Sequence, residues 1–203
     1  MKESEHPISP GVCKLARFIS LVTNPALVVS ASVIVVVSRY ADSAEKFWVG
    51  CGIGIGLLVV PGILYSIYIW RKDGAVDLDL TERSDRIVPL MLSTLGAVIG
   101  SFIVQSRLQN PTFTEMSFIL VTMLAALTVV TTVWKISLHA ATIAGLTSLL
   151  VVYQGSWLGL GYLALLPVIW SRTLLKQHSP NQLIAGTLLG SGLTFIAAWF
   201  FSR

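Results

Sequence analysis

The sequence predicts an all-α protein, a polytopic transmembrane helical bundle with six or seven membrane segments. Two observations carry this prediction. Of the 203 residues, 54% are hydrophobic and only 12% charged, far below the ~25% charged fraction of a soluble domain. The apolar residues also fall in continuous runs rather than alternating with polar ones. Continuous runs suit helices, which satisfy their own backbone inside lipid, better than the strands of a barrel.

The first run, Phe18 to Ser38, follows a largely polar and basic tail (residues 1–17) with no clear small-residue cleavage site after it, so it reads as a retained helix. The second, Phe47 to Trp70, ends on Arg71 and Lys72, which read as a headgroup anchor. Val88 to Gln105 and Phe113 to Val133 follow, each near the ~20 residues that cross ~30 Å of hydrocarbon. His139 to Tyr153 and Ser156 to Trp170 are shorter, at fifteen residues each. Gln154 and Gly155, with Gly159 and Gly161 nearby, favour a break between them over a single 32-residue helix. With the break the chain crosses seven times, and without it six. Gln182 to Phe201 is the last run. Its Gly186, Gly190 and Gly192, like Gly50, Gly52, Gly54 and Gly56 in the second run, allow ordinary close helix packing. No long linker or repeat interrupts the chain, so residues 1–203 read as a single membrane domain. Cys13 and Cys51 are expected at opposite faces, which excludes a bridge between them.

With this count, the loops after the second, fourth and sixth runs emerge on the side of the N-terminus. That face carries ten Lys and Arg against four on the other. Setting aside Arg83, Arg86, Lys135 and Arg172 as candidate ligand-binding groups leaves six against four. The positive-inside rule then makes the loaded face cytoplasmic.

The same three loops hold the chemistry: Arg71 to Arg86, Trp134 to His139, and Ser171 to His178. The chain has only three histidines. His6 lies in the polar tail, while His139 and His178 stand beside basic and hydroxyl residues at helix mouths. Arginine presents a planar fork of permanent charge to phosphate oxygens. Histidine titrates near working pH and serves as nucleophile or acid. Amides at a helix start add donors to the same anion. Together these point to oxyanion chemistry on a lipid phosphate.

The residues resemble the type 2 phosphatidic acid phosphatase superfamily, whose signature is K-x6-R-P, then P-S-G-H, then S-R-x5-H-x3-D. Ser171, Arg172 and His178 match the third block, with Gln182 in the place of its aspartate. Ser137 and His139 represent the second, with Ile136 and Leu138 where the family often has proline and glycine. Arg86, with Pro89 behind it, resembles the R-P pair of the first, and Asp79 stands where its lysine would be. The resemblance covers roughly residues 71 to 190. It implies a membrane lipid phosphatase acting on a prenyl diphosphate or a phosphatidic-acid-type phosphomonoester. His178 would be the nucleophile that forms a phosphohistidine, Gln182 its orienting partner and His139 the general acid. Arg86, Arg172, Ser137 and Ser171 would hold the phosphate, with Lys135 or Arg83 replacing the missing lysine. Its partners would be a lipid phosphate and the membrane, not nucleic acid, and no cofactor would be required. Two imidazoles in opposite protonation states imply a bell-shaped pH–rate profile.

The acidic loop with Asp77, Asp79, Glu82 and Asp85 keeps an alternative open. Asp77, Asp79 and Asp85 are of the type that holds Mg2+ against a diphosphate, as in a membrane prenyltransferase. That chemistry normally uses two acidic motifs, and here there is one. A noncatalytic protein that binds or transports a lipid phosphate is the other alternative.

Overall fold

The computed structural model describes residues 9–73 and 82–201. Among the described residues there are nine α-helices, one 3-10 helix and no strand: α1 Pro10–Val22, α2 Pro25–Tyr40, α3 Ala44–Leu58, α4 Val60–Asp73, α5 Arg83–Arg107, α6 Pro111–Val133, α7 Leu138–Gln154, the 3-10 helix Ser156–Ala164, α8 Leu165–Leu174 and α9 Pro180–Phe201. Local chemistry sets many of the boundaries. Proline opens α1, α2 and α6, at the positions where a missing amide costs nothing. Asn24, Ser43, Asn110 and Ser137 cap α2, α3, α6 and α7 with side-chain oxygens.

Five helical stretches are long and apolar enough to cross a membrane: Ala44–Lys72, Arg83–Arg107, Pro111–Val133, Ser156–Leu174 and Pro180–Phe201. A sixth is the pair α1 and α2, taken together, and α7 is a shorter apolar helix of 17 residues. The break expected between the fifth and sixth runs is at Gly155, whose φ of 124° is open to glycine and strained for other residues. The first run departs from expectation. Phe18 to Ser38 is not one helix, because Asn24 and Pro25 start a new one and bend the axis by 45°. The helix before the bend also takes in Pro10 to Arg17, part of the polar tail.

Hydrogen bonds and ring contacts define two ends of the bundle. At one end Arg83 and Arg86 of α5 reach the carbonyls of Thr132 and Ile136, and the Ser137 amide donates to Gln182 O. At the other, Tyr40 donates to Tyr153 O, Tyr153 to Glu115, and Phe118 stacks on Phe201. From α2 onward the membrane-length stretches and α7 therefore run alternately up and down, and α5, α7 and α9 all begin at the first end. All six tryptophans are exposed and divide between the ends: Trp70, Trp134 and Trp170 at the first, Trp48, Trp157 and Trp199 at the second. Such belts mark the two membrane interfaces of a multi-pass protein. Burial is inverted relative to a soluble domain. Phe102, Leu188 and Val133 face outward, whereas Arg86, His139, Arg172 and His178 are buried.

Helices α7 and α9 pack closely along their length. A Cβ on Gly190 would strike the Ala141 carbonyl, and one on Gly186 would come within 2.5 Å of Ser137 O. The glycines thus let two backbones meet beside the candidate site, as ordinary packing requires.

Candidate active site

Five helix ends converge at the first end of the bundle. Arg86 sits one turn into α5, 2% exposed, and its Nη1 donates to Ile136 O at 3.1 Å. That contact ties the first sequence block to the second. Ser137 is fully buried and caps α7, accepting from the Ala140 amide at 3.4 Å. Its own amide donates to Gln182 O at 3.2 Å, which ties the second block to the third. Arg172 in the last turn of α8 is fully buried, and its Nη1 donates to Ser20 Oγ at 2.5 Å. His139 is 3% exposed, with Nε2 3.2 Å from Ser20 O. A carbonyl only accepts, so that nitrogen carries a proton.

The turn into α9 fixes His178. Leu175, Lys176 and Gln177 donate back to Ser171, Thr173 and Arg172, and Lys176 takes a left-handed φ of 53° to close the turn. Ser179 and Gln182 then form a reciprocal capping box around Pro180. The Gln182 amide lies 3.4 Å from Ser179 Oγ, and the Ser179 amide donates to Gln182 Oε1 at 3.2 Å. The same Oε1 is 3.1 Å from His178 Nδ1. Because the backbone amide can only donate, the Gln182 atom is the oxygen and Nδ1 must be the protonated nitrogen. The lone pair of the neutral ring is therefore on Nε2, which is buried and has no hydrogen-bond partner among the described residues.

The electrostatics of this loop keep the ring neutral. Burial, followed by the charges of Arg86 and Arg172 and more weakly Lys135, pulls His178 down from 6.5 to about 3, and only the bond to Gln182 opposes them. The guanidinium charges near this buried ring disfavour its imidazolium form and favour anions.

The structure thus brings Arg86, Ser137, His139, Arg172, His178 and Gln182 together and puts Lys135 within electrostatic reach of them. Ser171 is fully buried but donates to Val168 O of its own helix at 3.0 Å. Arg83 is exposed at the start of α5. Its Nη1 donates to Thr132 O at 2.6 Å near the end of α6. Of the acidic loop, Asp77 and Asp79 lie outside the described residues. Asp85 is exposed in the first turn of α5 and accepts from Ser84 at 3.1 Å. Among the described residues no group of three His, Cys, Asp or Glu is placed to hold a metal ion.

Sequence reasoning missed Ser20, which bridges His139 and Arg172 from α1. A lone serine in an apolar run, 119 residues from His139, carries no signal of its own. A cavity of about 360 Å3 opens from Arg86 and His139 into apolar surroundings formed by α2, α4, α5 and α6. Set against protein-family models, curated proteins and solved structures, this chain matches none.

Proposed function

We propose that the protein is a membrane-embedded lipid phosphatase that hydrolyses a phosphomonoester or diphosphate of a lipid through a phosphohistidine. The observation that carries this reading is the buried Nε2 lone pair of His178. Gln182 fixes its tautomer, and Arg86, Arg172 and Lys135 surround it with positive charge. The resemblance of the three blocks to type 2 phosphatidic acid phosphatases supports the same assignment. So does the position of the site, level with the exposed Trp134 and Trp170, where lipid headgroups lie.

In this mechanism His178 Nε2 attacks phosphorus and forms a P–N bond as the P–O bond to the lipid breaks. The departing oxygen takes a proton from His139 Nε2, whose acceptor in this structure is Ser20 O. Water then attacks the phosphohistidine, its proton returns to His139, the P–N bond breaks and inorganic phosphate leaves. Arg86 and Arg172 stabilise the charge on the phosphoryl oxygens, with Ser137 and Ser171 at the same helix mouths. The Gln182 amide orients the ring without adding charge. The loaded face is cytoplasmic in this reading, so the enzyme meets newly made prenyl diphosphates as well as phosphatidic acid.

Purified protein should release inorganic phosphate from such lipids in EDTA, and His178→Ala should abolish the release. Complete loss in EDTA would favour a Mg2+-dependent prenyltransferase using the loop at residues 77–85. Binding without release by the wild type would make the protein a noncatalytic lipid-phosphate carrier. Equal rates for wild type and His178→Ala would end the proposed mechanism.

A further inference from the structure

A second apolar chamber lies beyond the first. The cavity that starts at Arg86 and His139, about 360 Å3, is followed toward the far interface by one of about 150 Å3. Val33, Gly54, Gly100, Leu108 and Phe113 wall the second. Val29, Leu58, Leu120, Met123 and Thr142 line both, so the two adjoin at these residues, which we take as the neck between them.

The depth of this path bears on its occupant. At ~1.5 Å per residue, α5 runs about 27 Å from Arg86 to Val104 and α6 about 21 Å from Leu127 to Phe113. One leaflet is about 15 Å deep, half of a ~30 Å core. An acyl tail that ends at the midplane would leave the second chamber empty, and a single neck does not pass two tails side by side. The occupant that fits is one apolar chain, longer than a leaflet, attached to an anionic group at the arginine. The path also opens sideways. α2 packs on α3 and α7, and α4 on α5 and α3, which leaves α2 and α4 loosely joined. Leu27 and Ile63, about half exposed, flank that gap and line the first chamber. A lipid can enter through it from the bilayer.

Met123 is the adjustable member of the neck, being unbranched and flexible. Its sulfur rests in a niche between α7 and α9, 4.0 Å from Thr194 Oγ1. A Cβ on Gly145 would come within 2.5 Å of that sulfur. The sulfur is near the end of a flexible side chain and the Gly190 carbonyl, at 3.3 Å, has to give by only a few tenths of an ångström, so an alanine at 145 is accommodated chiefly by swinging Met123 toward the neck.

Resting on the lipid-phosphatase reading, we infer that the two chambers hold a single long isoprenoid chain, and that Met123, stowed against Gly145, sets the chain length accepted. The test measures kcat/KM for phosphate release by the full-length protein in detergent. The substrates are geranyl diphosphate, a long-chain polyprenyl diphosphate and dioleoyl phosphatidic acid. The wild type should prefer the long polyprenyl chain. Gly145→Ala should lower its kcat/KM about tenfold while changing geranyl diphosphate less than about twofold, the scale at which apolar pockets discriminate. Adding Met123→Ala should restore the long-chain rate. Val29→Phe narrows the same neck from another helix and should give the same discrimination even if Gly145→Ala fails to fold. A parallel fall for long and short chains, or a preference for dioleoyl phosphatidic acid, would overturn the inference. If the wild type releases no phosphate from any lipid, the phosphatase reading fails. The chain path is then judged by thermal stabilisation with a long-chain polyprenyl phosphate: present in wild type and lost in Val29→Phe, it stands, and otherwise it falls.

Discussion

Gln182→Glu isolates the electrostatic part of the proposed chemistry. Glutamate keeps the length of the side chain and the S-x-x-E form of the capping box, so its oxygen should remain near the 3.1 Å position beside His178 Nδ1. The change adds one negative charge at the start of α9, where the helix dipole favours it. Two unit charges at about 3 Å attract by ~5 kcal/mol at an effective dielectric of ~20. Part of this is offset by the cost of burying the carboxylate, and acid–base pairs of this kind shift titrations by about 1–3 pH units. His178 should therefore rise from about 3 to about 4–6, leaving the ring mostly neutral and able to attack at pH 7. The developing phosphoimidazolium gains the same interaction, so phosphate release should accelerate about tenfold, corresponding to ~1.4 kcal/mol of transition-state stabilisation. The assay is a histidine NMR titration in micelles, with phosphate release measured on the same preparation. If His178 titrates as in the wild type and the rate does not rise, Gln182 is not the partner that sets the ring's charge.

Because His178 titrates at about 3 rather than 6.5, the unfolded chain takes up a proton that the folded one refuses. Stability should be complete above pH 6.5 and fall as pH drops toward 3, by up to ~1.4 kcal/mol per pH unit. His178→Phe should flatten this part of the thermal-unfolding profile, and an unchanged slope would assign it elsewhere. Gly190→Val drives a side chain into the Ala141 carbonyl, so it should destabilise the α7–α9 pair by about 1–3 kcal/mol and lower Tm, whereas Gly192→Ala, with open space around it, should not. Ser20→Ala removes the hydroxyl that accepts from Arg172 and should cost about 1.5–3 kcal/mol. Chemical denaturation reads that loss, and wild-type stability would show that the contact contributes nothing.

The fold class was legible because lipid imposes one requirement on every residue of a span, and continuous apolar runs answer it. The bend at Asn24 and Pro25 was not, although a cap residue followed by proline is a helix start. The flanking Leu21, Val22, Ala26 and Leu27 keep the run apolar, and apolar content does not record a change of axis. The site was legible in its blocks: the spacing of Ser171, Arg172 and His178, and Ser137 beside His139, marked helix mouths that do meet. Arg83, one helical turn before Arg86, was offered by its spacing as a replacement for the missing lysine, while its contact with the Thr132 carbonyl across to α6 was not readable from that spacing. Gln182 read as a departure from an aspartate, while its second role, the capping box with Ser179, was written in S-P-N-Q. Ser20 and the neck around Met123 depend on contacts between helices distant in sequence, which no local pattern encodes.

The most direct test is whether phosphorus becomes bonded to His178. Protein mixed with a phosphorus-labelled lipid diphosphate, quenched within one turnover and digested under alkaline conditions, should yield an acid-labile phosphohistidine on the peptide containing His178, and none in His178→Gln. Phosphate release at the wild-type rate by a His178→Gln protein, or label on another residue, would contradict the account.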